Sequence, residues 1–142
     1  MNSIAHSVAV ERDSAEAREA IRHGLNAFNE AKLGPYAFTP VTVCARDEAG
    51  ALLGGAVGGT FLDWLWLEVL WVSEPERGRG LGTRVLETFE EEGRRLGATR
   101  CLLDTMAYQA EGFYLGRGYK EFGRIPNFVQ GFDRIYLEKD LR

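Results

Sequence analysis

Residues 64–86, WLWLEVLWVSEPERGRGLGTRVL, carry the reading of the fold. From Trp64 to Ser73 nearly every position is apolar, the pattern of a central strand covered on both faces. Glycines at alternate positions, Gly78, Gly80 and Gly82, then lead into a run whose Val85, Leu86, Phe89 and Leu96 share one helical face as far as Gly97. Strand, glycine loop and helix in that order put the backbone amides of Gly78 to Thr83 at the positive end of a helix dipole, where they can converge on one anion. Glycines there let the backbone approach oxygens that a Cβ would block. On residues alone, a merely tight, arginine-flanked turn remains the alternative. The loop is not a Walker A motif, since no Lys-Ser/Thr pair follows, and Thr83 stands where a GxGxxG loop would have its third glycine.

Working outward, Ser7 to Glu11 reads as a short first strand, and Asp13 or Ser14 as the cap of a helix with Ala17, Ala20, Ile21, Leu25 and Phe28 on one face, ended by Gly34 and Pro35. Val41 to Arg46 and Ala51 to Thr60 form an antiparallel pair around Gly50. Past the glycine loop, Arg100 to Met106 is a buried strand, and Gln109 to Arg117 a short helix ended by Gly118. Tyr119 to Arg124 and Asp133 to Lys139 are closing strands around a PNFVQG turn. The sum is one α+β domain over residues 1–142, a mixed three-layer α/β/α arrangement.

The bulk properties narrow the function. The 142 residues are 45% hydrophobic and 27% charged, with 17 glycines, enough chain to bury one core. A net charge of −4 argues against a nucleic-acid binder, whose surface must neutralise phosphates. Neither a basic leader with an apolar stretch nor an apolar run of spanning length is present, so a cytoplasmic protein away from membranes is expected. Cys44 and Cys101 lie in apolar runs without metal-ligand spacing and read as reduced core residues. His6 and His23 are isolated, no serine or cysteine stands in a nucleophile elbow, and no metal is expected.

VSEPERGRGLGTRVL resembles the acetyl-CoA signature of the GNAT superfamily of N-acetyltransferases, in which an R-x-x-G-x-G/A segment, here Arg77, Gly80 and Gly82, wraps the coenzyme pyrophosphate. The later stretch DTMAYQAEGFYLGRGYKEFG resembles the same family's A-x-x-F-Y-x-x-x-G-[FY] core through Ala110, Phe113, Tyr114, Gly118 and Tyr119. AGALLGG is similar to the hairpin that precedes the family's third strand. The resemblance runs from about Val41 to Leu141 and implies the acyl-CoA N-acyltransferase fold, with a mixed, mostly antiparallel central sheet and acetyl-CoA as co-substrate.

On that scaffold the chemistry sets its own requirements. An alkylamine with a pKa of about 10.4 is far less than one per cent neutral at pH 7, so a group must take its proton. Glu68 is the single charge in the apolar strand, where burial makes a carboxylate a better base; a structural ion pair is the competing reading. The leaving thiolate needs a proton, and the resemblance assigns that role to Tyr114, which on residues alone reads as core. It also implies that the strand around Leu70, Trp71 and Val72 bulges and offers main-chain groups to the pantetheine arm and the acetyl carbonyl. Arg77, Gly78, Arg79, Gly80, Leu81, Gly82 and Thr83 form the cradle, with Arg79 and Thr83 as phosphate contacts. Gln109 either contacts the pantetheine amides or is an exposed helix-start residue. Trp64, Trp66 and Trp71 read as core rather than acceptor pocket, and Glu87, Glu90, Glu91 and Glu92 as a solvated helix face.

The expected activity is therefore direct transfer of acetyl from acetyl-CoA to a primary amine of a small molecule or peptide, by an enzyme that is a homodimer in similar proteins. The alternatives are a non-catalytic acyl-CoA-binding or sensor module, and a nucleotide-binding enzyme, which lacks its phosphate-contacting Lys and ribose-contacting acid.

Overall fold

The structure, a computed structural model, describes residues 5–142; residues 1–4, part of the stretch read for a leader, lie outside the described residues. The chain divides into two compact units, Met1–Tyr36 and Ala37–Arg142.

In the first unit, helix α1 spans Ala15–Leu33. Ser14 caps it, its Oγ accepting from the Ala17 amide at 3.2 Å, and Gly34 at φ 81° closes it. Ser7 to Glu11, expected as a strand, forms none. A short segment of weak β pattern gains nothing without a ladder partner.

The second unit is a six-stranded sheet in the order β1-β2-β3-β4-β6-β5, built from β1 (Thr39–Arg46), β2 (Leu52–Phe61), β3 (Trp64–Val72), β4 (Arg100–Met106), β5 (Lys120–Val129) and β6 (Phe132–Asp140). Only β3 and β4 run parallel. Helix α2 (Leu81–Arg95) fills the crossover between them and packs on β1, β2 and β3, while the short α3 (Glu111–Leu115) follows β4. The core is Leu65, Leu67, Leu86, Phe89, Cys101, Leu103, Ile135 and Leu137. The architecture is the expected α+β mixed sheet.

Strand β3 departs from the reading of a strand covered on both faces. Leu65 and Leu67 are buried, but Glu68, Val69 and Trp71 are exposed. The cause is a bulge: Val57 pairs with Val69 and Gly58 with Leu67, so Glu68 has no partner on β2. A bulge bends its strand and raises the local twist. On the other side the β3–β4 ladder holds only from Trp64↔Arg100 to Trp66↔Leu102. Beyond Trp66 the two parallel strands part, leaving β3 without a strand partner on that side.

Four further expectations change. Cys44 is exposed, because it alternates with the inward Val43 and Ala45 on edge strand β1, whereas Cys101 is buried as read. Glu90 is buried, facing the sheet beside Leu86 and Phe89; its carboxylate accepts from the Tyr119 hydroxyl at 2.7 Å and the Lys139 ammonium at 3.0 Å. Trp71 is 46% exposed and Trp64 and Trp66 only half-buried. The closing strands run on through Pro126 to Val129 to a tight turn at Gln130 and Gly131, with φ of 48° and 87°. Bulges absorb the surplus residues that looked like a longer loop.

Candidate active site

A cavity of about 660 Å³ opens where β3 and β4 part. Leu70, Trp71 and Val72 line it from β3, and Arg77, Gly78, Gly80, Gly82 and Thr83 from the loop and first turn of α2. Tyr108, Gln109, Ala110, Phe113 and Arg117 close it from the segment after β4. Most of the nominated cofactor-binding residues are thus brought to one place.

The loop has the donors that an anion needs. Gly78 and Gly80 sit at φ 73° and 87°, a left-handed backbone that a Cβ disfavours. Gly80 caps α2 without any side-chain acceptor, and the first bond of the helix runs from Arg84 N–H to Gly80 O. The amides of Leu81, Gly82 and Thr83 therefore have no intrahelical partner, and no acidic residue stands in that turn. Arg77 lines the cavity and donates from Nε to the Val72 carbonyl at 3.0 Å, which ties the loop to the end of β3. These residues fit the phosphates of a coenzyme A ester: backbone donors, a helix dipole and cations, with Glu76, a carboxylate that also lines the cavity, paired to Arg79 at 3.7 Å.

Arg79 and Leu81 lie elsewhere. Both side chains line a second cavity, with Val43, Leu53 and Val85, and Arg79 pairs with Glu76 at 3.7 Å. Neither lines the first cavity, so these two offer the cradle only main chain.

Gln109 accepts at Oε1 from the Met106 amide at 2.8 Å and the Thr105 hydroxyl at 3.1 Å. With its oxygen thus occupied, its Nε2 is left as the donor at the cavity wall. Arg117 went unnoticed in the sequence. Its guanidinium stacks 4.0 Å from the Phe113 ring centroid and donates to the Thr83 hydroxyl and the Phe113 carbonyl, each at 2.8 Å. The signal available was the i,i+4 spacing of Phe113 and Arg117 within a helical segment.

The two nominated catalytic residues differ in setting. Tyr114 is 6% exposed and packs edge-on to Phe113 and Tyr119; burial, with the neighbouring Cys101 second, pushes its phenol up to about 12. It therefore stays protonated across the neutral range, as a proton donor must. The cavity itself is lined by Phe113, its neighbour in the chain. Glu68 is the bulged residue of β3, and the apolar surroundings expected for it are absent: the side chain is exposed. Among the described residues no cluster of three His, Cys, Asp or Glu groups could hold a metal ion, and no helix is long and apolar enough to cross a membrane.

The sequence and the fold both have close counterparts. The profile of the Acetyltransferase (GNAT) family matches residues 8–119. Acetyltransferase Atu2258 of Agrobacterium fabrum is 33% identical over 139 residues, 98% of each chain. Blasticidin-S acetyltransferase of Streptomyces morookaense is 37% identical over 98 residues, covering 68% of this chain and 72% of that one. The crystal structure of an acetyltransferase from Bacillus cereus matches with a TM-score of 0.86 at 27% identity, covering 94% of this chain and 97% of that one. The binding-only module and the nucleotide enzyme both give way to these relatives. A profile that runs through most of the chain and a relative aligned almost end to end leave one assignment: the chain belongs to the GNAT family and is an acetyl-CoA-dependent acetyltransferase.

Proposed function

We propose that the chain moves the acetyl group of acetyl-CoA onto a primary amine of a small molecule by direct attack, both substrates bound at once. The observation that carries this reading is the cavity at the β3–β4 notch, which ends on the unpaired amides of the α2 N-terminus. The name of the Streptomyces relative, a blasticidin-S acetyltransferase, supports a small-molecule acceptor. That the family profile runs through residues from both compact units supports one functional domain over 1–142.

When bound, acetyl-CoA supplies an acyl group activated as a thioester. The amides of Leu81, Gly82 and Thr83 hold its phosphates, with Arg77 and Arg117 as the nearby cations. Main-chain groups of Leu70 to Val72 on the side that β4 leaves, apart from the Val72 carbonyl that Arg77 occupies, hold the pantetheine arm together with Nε2 of Gln109. Glu68, exposed on the bulge, takes the proton of the incoming ammonium directly or through water. Tyr114 holds a proton at its hydroxyl for the leaving sulfur.

Gly82→Glu tests the cradle. The new Cβ finds only ordinary contacts, 3.4 Å from Phe113, and the position needs no left-handed backbone, so the fold is retained. The added carboxylate then meets the phosphates. Isothermal titration is expected to show acetyl-CoA binding weakened about tenfold or more in the variant. Equal affinities in wild type and variant would place the coenzyme elsewhere.

A further inference from the structure

Resting on the acetyl-transfer reading above, we propose that the acceptor carries its amine on a flat, apolar body, held by the exposed rings of Trp71, Tyr108 and Phe132. Trp71 and Tyr108 line the cavity yet are 46% and 57% exposed. Tyr108 meets Phe132 edge-on, ring centroids 5.0 Å apart, and Phe132, at the turn of the β5–β6 hairpin, is itself 43% exposed. Tyr108 therefore joins the coenzyme cavity to the hairpin. Scattered exposed aromatics are ordinary, but rings grouped at the mouth of a cavity form a recognition surface. A flat ring stacks on such a surface, and an ammonium gains from the face of an indole or phenol.

The charges nearby argue against a polycation or a polyol. Asp104 is tied to Arg134 at 2.9 Å; Asp133 and Glu111 are tied to Arg124 at 2.8 Å and 2.9 Å. Carboxylates already neutralised in this way do not hold the several ammonium groups of a polyamine or an aminoglycoside. Glu68 differs: among the described residues it has neither a hydrogen bond nor an ion pair, and it stands about 10 Å along β3 from Trp71. One free carboxylate on the strand that carries Trp71 suits one amine on one flat body.

The test measures thiol release from acetyl-CoA with tryptamine, spermidine and kanamycin as acceptors, on wild type, Phe132→Ala and Phe132→Tyr, with the acetyl-CoA Kd measured on the same samples. Tryptamine is expected to show the highest kcat/KM. Phe132→Ala should raise its KM about fivefold or more, Phe132→Tyr should restore it, and the acetyl-CoA Kd should not move. Preference for spermidine or kanamycin overturns the proposal, as does a tryptamine KM indifferent to the ring at 132. Acetyl-CoA binding without tryptamine turnover also overturns it, while leaving the coenzyme site in place. Loss of acetyl-CoA binding in the wild type would instead sink the transferase reading beneath it.

Discussion

Tyr114 and Glu68 present opposite environments for the opposite tasks proposed for them. A buried phenol whose pKa is pushed up to about 12 suits the proposed acid, and an exposed carboxylate whose side chain has no partner among the described residues suits an incoming cation. Tyr114→Phe removes only the hydroxyl and keeps the packing against Phe113 and Tyr119. It is expected to lower kcat about a hundredfold with an unchanged acetyl-CoA Kd, read by single-turnover and titration experiments. A kcat that survives the change would return Tyr114 to the core. At this scale the glycine loop was legible, because glycine spacing and a following helix are local facts. Arg117 was not, since its value comes from α3 ending beside Thr83 on α2, 34 residues away in sequence. The burial of Glu90 was overlooked among Glu87, Glu91 and Glu92: its i,i+4 spacing from Leu86 puts it on the buried face, where Tyr119 and Lys139 satisfy its carboxylate.

At the scale of the elements, β2 explains how β3 is shaped. Its glycines have their Cα atoms pressed against neighbouring backbone: a Cβ at Gly58 would run into the Trp66 carbonyl and come within 2.9 Å of Phe89 Cζ, and one at Gly54 within 2.8 Å of the Trp71 carbonyl. Gly58 is also the residue at which the register shifts opposite the bulge. Gly58→Ala is therefore expected to cost about 2–4 kcal/mol in urea unfolding, although alanine is usually neutral in a strand. Unchanged stability would mean that β2 can slide away from β3. The apolar run of β3 made the strand legible. Its half-exposure was not, because a bulge is imposed by the partner strand rather than by the residues that bulge.

Over the whole molecule, a buried polar cluster underlies the site: Cys101, Tyr114 and Tyr119 lie together, with Glu90 and Lys139 behind them. Burial pushes the Cys101 thiol from 9.0 up to about 12 and the Tyr114 phenol from 10.0 up to about 12, and raises Tyr119 as well. Groups whose pKa is raised by folding contribute their stability fully below the unfolded values and lose it as pH rises towards the folded ones. Stability should hold below about pH 9 and then fall by about 1.4 kcal/mol per pH unit for each group so affected. Urea midpoints at about pH 8 and about pH 11 check this, and Cys101→Ala should flatten part of the slope. A midpoint indifferent to pH would show that these groups ionise without cost in the folded chain. The order of strands after the glycine loop was foreseeable from their pattern. This cluster was not, because it joins α2, β4, β6 and the end of α3, which only the closed sheet brings together.

The short seam between β3 and β4, three residue pairs and then a gap, makes the sheet a garment left partly unfastened. On the function proposed for the notch, an acyl donor with peptide-like amides in its arm completes the fastening. What binds the notch and not the unfolded chain raises stability by mass action. The amount of folded enzyme then follows the supply of acyl donor, so that a cell poor in activated acetate would hold not merely an idle catalyst but a shorter-lived one.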